Sequence, residues 1–259
     1  MDVVMLSHTT KPLHVIAAAK GLMRGVTKMP GEILDIDAEE EFRDCLKTEI
    51  KGPFEFIDFA FVISGVTRAF THQLVRHRVG TSFVQESMRF SVKSGKQFAY
   101  AVPESVVKER MVFSEKDGIE IPVEEIYHNA MEGIQQDYEN LLNSGIPPED
   151  ARGILPTNIL TSIAFKCNYR ALYEMANQRM CMQTQKEFRD VMLRIRSCVS
   201  DIHGLLGASL TAICEKQKFC PWGSKLDREC PLQEKYPVRI PWSDSPPNPG
   251  KSKKREDWW

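Results

Sequence analysis

Arg76, His77 and Arg78 are consecutive in the stretch RHRVGTSFVQESMRFS, and Arg89 lies near its end. Like charges repel, so such a cluster needs an anionic partner or open water. If FVQESMRF is extended, Gln85, Ser87 and Arg89 point to one face and Glu86 and Met88 to the other. A hydroxyl and a guanidinium on one face can grip a nucleotide phosphate, because arginine donates to two oxygens at once. On the adjoining turn, Arg76 and Arg78 can hold a second anionic group or polarise a bound ring. A solvated helix end followed by a surface strand would carry the same charges without any ligand.

The elements that must position these residues are readable in outline. DVVML reads as a strand, and KPLHVIAAAKGLMRG as a helix with Pro12 near its start and Gly25 as a stop. Residues Ala38 to Lys47 read as a helix that Asp37 can cap. FEFIDFAFVIS has the composition of a strand buried on both faces, and GVTRAFTHQLVRH spaces its apolar residues as one helical face. That spacing puts Arg76, His77 and Arg78 at the helix's C-terminal end, where the macrodipole favours cations. EEIYHNAMEGIQQDYENLLNSG is a long amphipathic helix, and GIPPEDARGILP a short one begun by proline. TNILTSIAFKCN has strand composition, and Asn168 can cap the helix YRALYEMANQRM. Thr184 and Glu187 predict a capping box opening a long helix, with Phe188, Met192, Ile195, Val199, Ile202, Leu206, Leu210 and Ile213 on its core stripe. The fold class is α/β, a central sheet packed by long helices. Residues 1–222 form the domain, and 223–259, rich in proline, serine and charge, an extended tail.

Composition narrows the function. With 34 basic and 35 acidic residues the chain has no general attraction for nucleic acid or membranes, so any anion recognition is local. No apolar run has the length of a membrane span, and the N-terminus lacks the pattern of a signal peptide. The seven cysteines are odd in number and irregularly spaced, as in a reduced cytoplasmic protein, or a host's cytoplasm if phage-encoded. Cys214, Cys220 and Cys230 hint at zinc, but their gaps fit no common finger and no CxxC pair exists. No metal site is expected.

RHR followed by a serine and then SxR resembles the signature of the flavin-dependent thymidylate synthases. The similarity extends, in order, over roughly Pro53 to Trp222, through PFEFIDFAFVISGVTRAFTHQLVRHR and GIPPEDARGILPTNILTSIAFKCNYRALYEMANQRM. The resemblance implies a mostly antiparallel sheet and an intertwined homotetramer whose sites draw on several subunits. Its reaction moves a one-carbon unit from methylenetetrahydrofolate to C5 of dUMP, with hydride from reduced FAD and NADPH as reductant. Residue by residue, it implies that Arg76, His77 and Arg78 organise FAD and the nucleotide. Gln73 then lies near the pyrimidine pocket, Ser87 and Arg89 hold the nucleotide phosphate, and Arg152 serves the nucleotide. Asn168 belongs to the flavin site. Arg179 contacts the pyrimidine and stabilises charge developing there.

The sequence departs from the family pattern in four places. The loop from Arg78 to Ser87 is one residue longer, so either Gly80-Thr81 bulges, which keeps Ser87 and Arg89 in register, or Glu86 takes the serine's place beside Gln85. Ile50-Lys51-Gly52 replaces a His-x-Thr. Glu174 stands at a flavin-site position where the family has asparagine, with Arg170 or Arg179 to offset its charge. Gln183 replaces a histidine that lies over the flavin. These changes keep open two other readings: a one-carbon transferase such as a hydroxymethylase on another pyrimidine nucleotide, and a flavin-free nucleotide-binding homologue.

Overall fold

Four strands that are far apart in the chain make one antiparallel sheet, in the order β1-β2-β6-β3. The structure, a computed structural model, describes residues 1–26, 32–89, 98–107, 110–114, 118–222 and 230–237. In chain order the elements are β1 (Asp2–His8), α1 (Pro12–Met23), α2 (Ala38–Lys47), β2 (Asp58–Thr67), α3 (Arg68–Leu74), β3 (Thr81–Gln85), α4 (Glu104–Val107), β4 (Met111–Ser114) and β5 (Ile119–Pro122). They continue with α5 (Val123–Asn143), α6 (Pro148–Ala151), β6 (Leu160–Asn168), α7 (Tyr169–Arg179), α8 (Lys186–Ile202), α9 (Gly204–Ser209) and α10 (Ile213–Gln217). The α/β, antiparallel expectation therefore holds. Among the described residues no helix is long and apolar enough to cross a membrane.

Strand alternation explains the layering. Phe59, Phe61 and Ile63 of β2 and Ile163, Phe165 and Cys167 of β6 are buried on one face, where they meet Phe42, Tyr169 and Phe188 from the helices. The other face carries Val4, Val62, Ala164 and Val84 as one register row across all four strands. Val4 is 56% and Val84 75% exposed.

Local chemistry moves several boundaries. Pro53 opens a 3-10 turn, Gly52–Phe56, so the second strand starts at Asp58 and not at Phe54. Gly65 takes φ +64 at a break in register between Ser64 and Val66; β2 then continues to Thr67, and α3 starts at Arg68. The long helix expected from Thr184 breaks at His203, whose extended backbone ends α8 while its ring Nδ1 accepts the Leu205 N–H that opens α9. The core stripe survives the break, with Phe188, Met192, Ile195, Val199, Leu206 and Leu210 all buried. The capping box does not form. Glu187 instead accepts from the Thr67 backbone N–H at 2.7 Å and the Thr67 hydroxyl at 2.6 Å, while Thr184 donates to the Gln178 carbonyl. A buried strand end with two donors outcompetes an exposed local one. Of the 223–259 segment, residues 230–237 return to the body: Tyr236 is buried, and the Cys220 N–H donates to the Pro237 carbonyl. The rest of that segment lies outside the described residues.

Candidate active site

The Arg76–Arg78 triplet lies just beyond α3, in a turn stitched to α7. Thr81 donates its hydroxyl to the His77 carbonyl at 2.5 Å, and Asn168 donates its backbone N–H to the Gly80 carbonyl at 2.9 Å. Gly80 sits at φ +68, and a Cβ there would lie 2.6 Å from the Asn168 side chain. The extra loop residue is thus taken up before β3, which pairs with β6 without a slip from Thr81 to Gln85. Asn168 caps α7 as expected, its Oδ1 accepting the Ala171 N–H at 2.9 Å. Asp58, Gly80, Thr81, Ser82, Lys166 and Asn168 line an open, polar cleft of about 280 Å³ beside this turn. Arg76 and Arg78 are exposed, and neither meets a carboxylate among the described residues.

His77 faces inward. Its Nε2 accepts from Arg179 Nε at 2.9 Å, which requires the proton to sit on Nδ1. Burial, and then the neighbouring Arg179 charge, hold the imidazole below its ordinary pKa, so the neutral ring is the stable one. The Arg179 guanidinium stacks over Phe188, with its carbon 4.8 Å from the ring centroid. Burial lowers the Arg179 pKa as well, but from so high a start that the group stays cationic. Gln73 donates its amide to Gln185 at the entry to α8. Gln73, His77, Arg179 and Phe188 thus form one focus, held from both sides by α7 and α8.

A second focus forms where β3 ends. The expectation that Ser87 and Arg89 continue an extended strand with Gln85 is not met: β3 stops at Gln85, and Glu86–Arg89 turn, with the Ser87 hydroxyl accepting the Arg89 N–H at 3.3 Å. Serine favours such a two-residue turn, and local hydrogen bonding wins over strand continuation. Gln85 points back to the Thr71 hydroxyl, and the Glu86 carboxylate takes a bond from Thr161. Arg89 pairs with the Glu149 carboxylate at 2.9 Å, and Arg152 donates to the Glu149 carbonyl at 3.0 Å. Arg68, which the sequence reading passed over, donates to the Glu86 carbonyl at 2.9 Å and leaves its buried Nε without a partner. Burial pulls the Arg68 pKa down; Glu86 opposes this and Arg152 adds to it. Ser87, Arg68, Arg89 and Arg152 therefore lie around one region, and the Glu149 carboxylate meets Arg89 there.

The remaining departures have local roles. Lys51 donates to the carbonyls of Cys45 at 2.6 Å and Leu46 at 3.0 Å, closing the C-terminus of α2. Glu174 is exposed and pairs with Arg170 at 3.0 Å, and Arg170 in turn holds Glu55. Arg170 supplies the offset that a carboxylate there requires. Gln183 lines a cavity behind the α7–α8 turn.

The antiparallel sheet is walled by helices, and the short helix α3 carries Arg68 at its start and is followed by Arg76 and Arg78 beyond its end. The chain belongs to the family described as thymidylate synthase complementing protein, whose profile matches residues 4–203. The flavin-dependent thymidylate synthase of Nitratidesulfovibrio vulgaris is 31% identical over 248 residues, covering 91% of this chain and 97% of that protein. The enzyme of the same name from Sulfurisphaera tokodaii is 31% identical over 206 residues, covering 78% of this chain and 75% of that one. Among solved structures, the UMP/dUMP methylase PolB from Streptomyces cacaoi, bound with 5-Br dUMP, superposes with a TM-score of 0.62 at 20% identity, over 80% of this chain and 93% of that one. That likeness shows the fold.

Proposed function

We propose that this protein is a flavin-dependent enzyme that methylates dUMP at C5 to give dTMP. The observation that carries the reading is the convergence of Arg68, Arg89 and Arg152 around Ser87, an anion grip joined through α3 to the Gln73–His77–Arg179 focus. The family relationship supplies the reaction class. The nucleotide phosphate takes the place beside Arg89 and Arg152 that Glu149 now holds, with the Ser87 hydroxyl as a further donor. Arg179, fixed by His77 and Phe188, faces the pyrimidine and stabilises negative charge as it develops on the ring; its cationic state needs no proton transfer. Gln73 orients the base edge.

The residues present suit a flavin dinucleotide. Arg76 and Arg78, which meet no carboxylate among the described residues, offer exposed guanidiniums to its pyrophosphate, and the polar cleft floored by Asn168 and Gly80 lies beside them. When bound, reduced FAD supplies the hydride, methylenetetrahydrofolate supplies the carbon, and NADPH restores the flavin. The apolar row Val4–Val62–Ala164–Val84 on the open sheet face supports assembly into the homotetramer in which further copies cover that face.

The visible spectrum of the purified protein, with FAD and then with dUMP added, tests the reading. A bound-flavin spectrum that shifts on dUMP addition is expected, followed by dTMP formation with methylenetetrahydrofolate and NADPH. No flavin uptake would replace the reading with a nucleotide-binding protein, and a hydroxymethyl product would replace it with a related transferase.

A further inference from the structure

Gln185 opens α8 from the N-cap position, yet its side chain makes no bond to the helix that it caps. Glutamine is a poor cap beside serine, threonine, asparagine or aspartate. Its amide turns instead across to α3, where Oε1 accepts an Nε2–H of Gln73. The backbone around it is pinned. The Thr184 hydroxyl donates to the Gln178 carbonyl at 2.9 Å, the Arg189 N–H donates to the Gln185 carbonyl at 3.2 Å, and Glu187 holds Thr67. Gln185 is exposed and Gln73 half-buried, so one bond between their amides contributes little to stability. What it fixes is direction. Among the described residues no other hydrogen bond holds the Gln73 side chain, so Gln185 decides which end of that amide is the oxygen.

We propose, on the reading that a pyrimidine nucleotide occupies the Gln73–His77–Arg179 focus, that Gln185 is the positioning residue that selects uracil over cytosine by setting which way the Gln73 amide faces. One Nε2–H of Gln73 is spent on Gln185. That leaves its Oε1 and second Nε2–H side by side, an acceptor next to a donor. Uracil presents an N3–H between two carbonyl oxygens, so the edge pairs with it twice: N3–H donates to Oε1, and Nε2–H donates to a carbonyl. Cytosine has an acceptor at N3 and an amino group at C4. It meets the same edge with acceptor against acceptor and donor against donor, and an amide turned round would suit it. Arg179 cannot make this choice. Its Nε is committed to His77, its terminal nitrogens only donate, and a carbonyl at C2 is common to both bases.

Calorimetric titration of the full-length protein with dUMP and with dCMP, FAD present, measures the choice without reference to turnover. The two nucleotides carry the same phosphate, so general electrostatics cancels from the ratio of their affinities. The wild type should prefer dUMP by about tenfold to a hundredfold, the discrimination of one good bidentate pair. Gln185→Glu offers only an acceptor, holds the Gln73 amide as it stands and keeps the preference. Gln185→Lys offers only donors, turns the Gln73 oxygen toward itself and lowers the ratio at least about tenfold. Both changes fall on an exposed side chain without a capping bond, so neither removes a contact that α8 needs. A wild type without preference, or one ratio shared by all three proteins, overturns the proposal, and so does a loss in the Glu variant equal to that in the Lys variant. In each case a flavin spectrum that still shifts with dUMP leaves the proposed function standing. A protein that binds neither nucleotide overturns the proposed function, and the role of Gln185 with it.

Discussion

Gly80→Ala offers a sharp test of how the arginine-rich turn is built. Gly80 has φ +68, and a left-handed backbone costs an L-residue about 1–2 kcal/mol. The added Cβ would also lie 2.6 Å from Asn168 Nδ2 and 2.7 Å from its Oδ1, so the Asn168 side chain must leave. Leaving breaks its 2.9 Å bond to the Ala171 N–H, and a lost N-cap costs about 1 kcal/mol. The substitution should therefore destabilise the fold by about 2–3 kcal/mol. The informative measurement is a double-mutant cycle with Asn168→Ala, followed by urea denaturation. Asn168→Ala alone should cost about 1 kcal/mol, the lost cap. The double variant should cost hardly more than Gly80→Ala alone, because the cap is lost only once. That leaves a coupling of about 1 kcal/mol, above the few tenths by which independent sites depart from additivity. Additive effects would refute the claim that Gly80 is required by its contact with Asn168 and would reduce its role to backbone conformation.

Glu149→Gln should strengthen dUMP binding by up to about fivefold at low salt, the most an exposed ion pair of under about 1 kcal/mol can withhold from Arg89. Calorimetric titration reads this directly, and weaker binding would mean that Glu149 works with the ligand and not against it. Because its folded pKa is depressed, His77 adds stability that is present above its ordinary pKa of 6.5 and lost as pH falls below it toward the lower folded value. Protonation would put a second cation against Arg179. Denaturant midpoints of the wild type and His77→Asn, followed from neutral to acid, should converge; an advantage for the wild type that grows on acidification would refute the neutral Nε2 acceptor.

What the sequence revealed follows from what is local. β6 and α7 were legible because alternation and an Asn cap are properties of adjacent residues, and Asn168 performs the cap that its position predicts. The short helix at Pro148 and the long one ending near Gly145 were legible for the same reason. The candidate phosphate grip was visible only in part. Ser87 and Arg89 share a stretch of sequence, but the turn that replaces the expected strand depends on the Arg68–Glu86 bond and on Glu149, which approaches from a separate helix. Arg68 carried no signal of its own, since an arginine in an amphipathic helix looks solvated until the fold buries it.

The Thr184–Glu187 pair shows why a local motif can mislead. Its spacing is that of a capping box, but the carboxylate had another option 120 residues away, the two donors of Thr67 at the end of β2. A charged acceptor facing two donors in a partly buried place gains more than the same acceptor reaching one exposed N–H. The exchange also has a consequence for the site. Thr67 caps α3 through the Phe70 N–H, so Glu187 fixes the start of the helix that bears Arg68 at its first position and Gln73 near its last. Gln185, two residues before Glu187, holds Gln73 directly. The entry of α8 thereby grips α3 at both ends, and the spacing between the Arg68 focus and the Gln73–His77–Arg179 focus is set by a helix of seven residues, about 10 Å long. The long-range contact that defeats the sequence pattern is the one that sets the distance between the two foci.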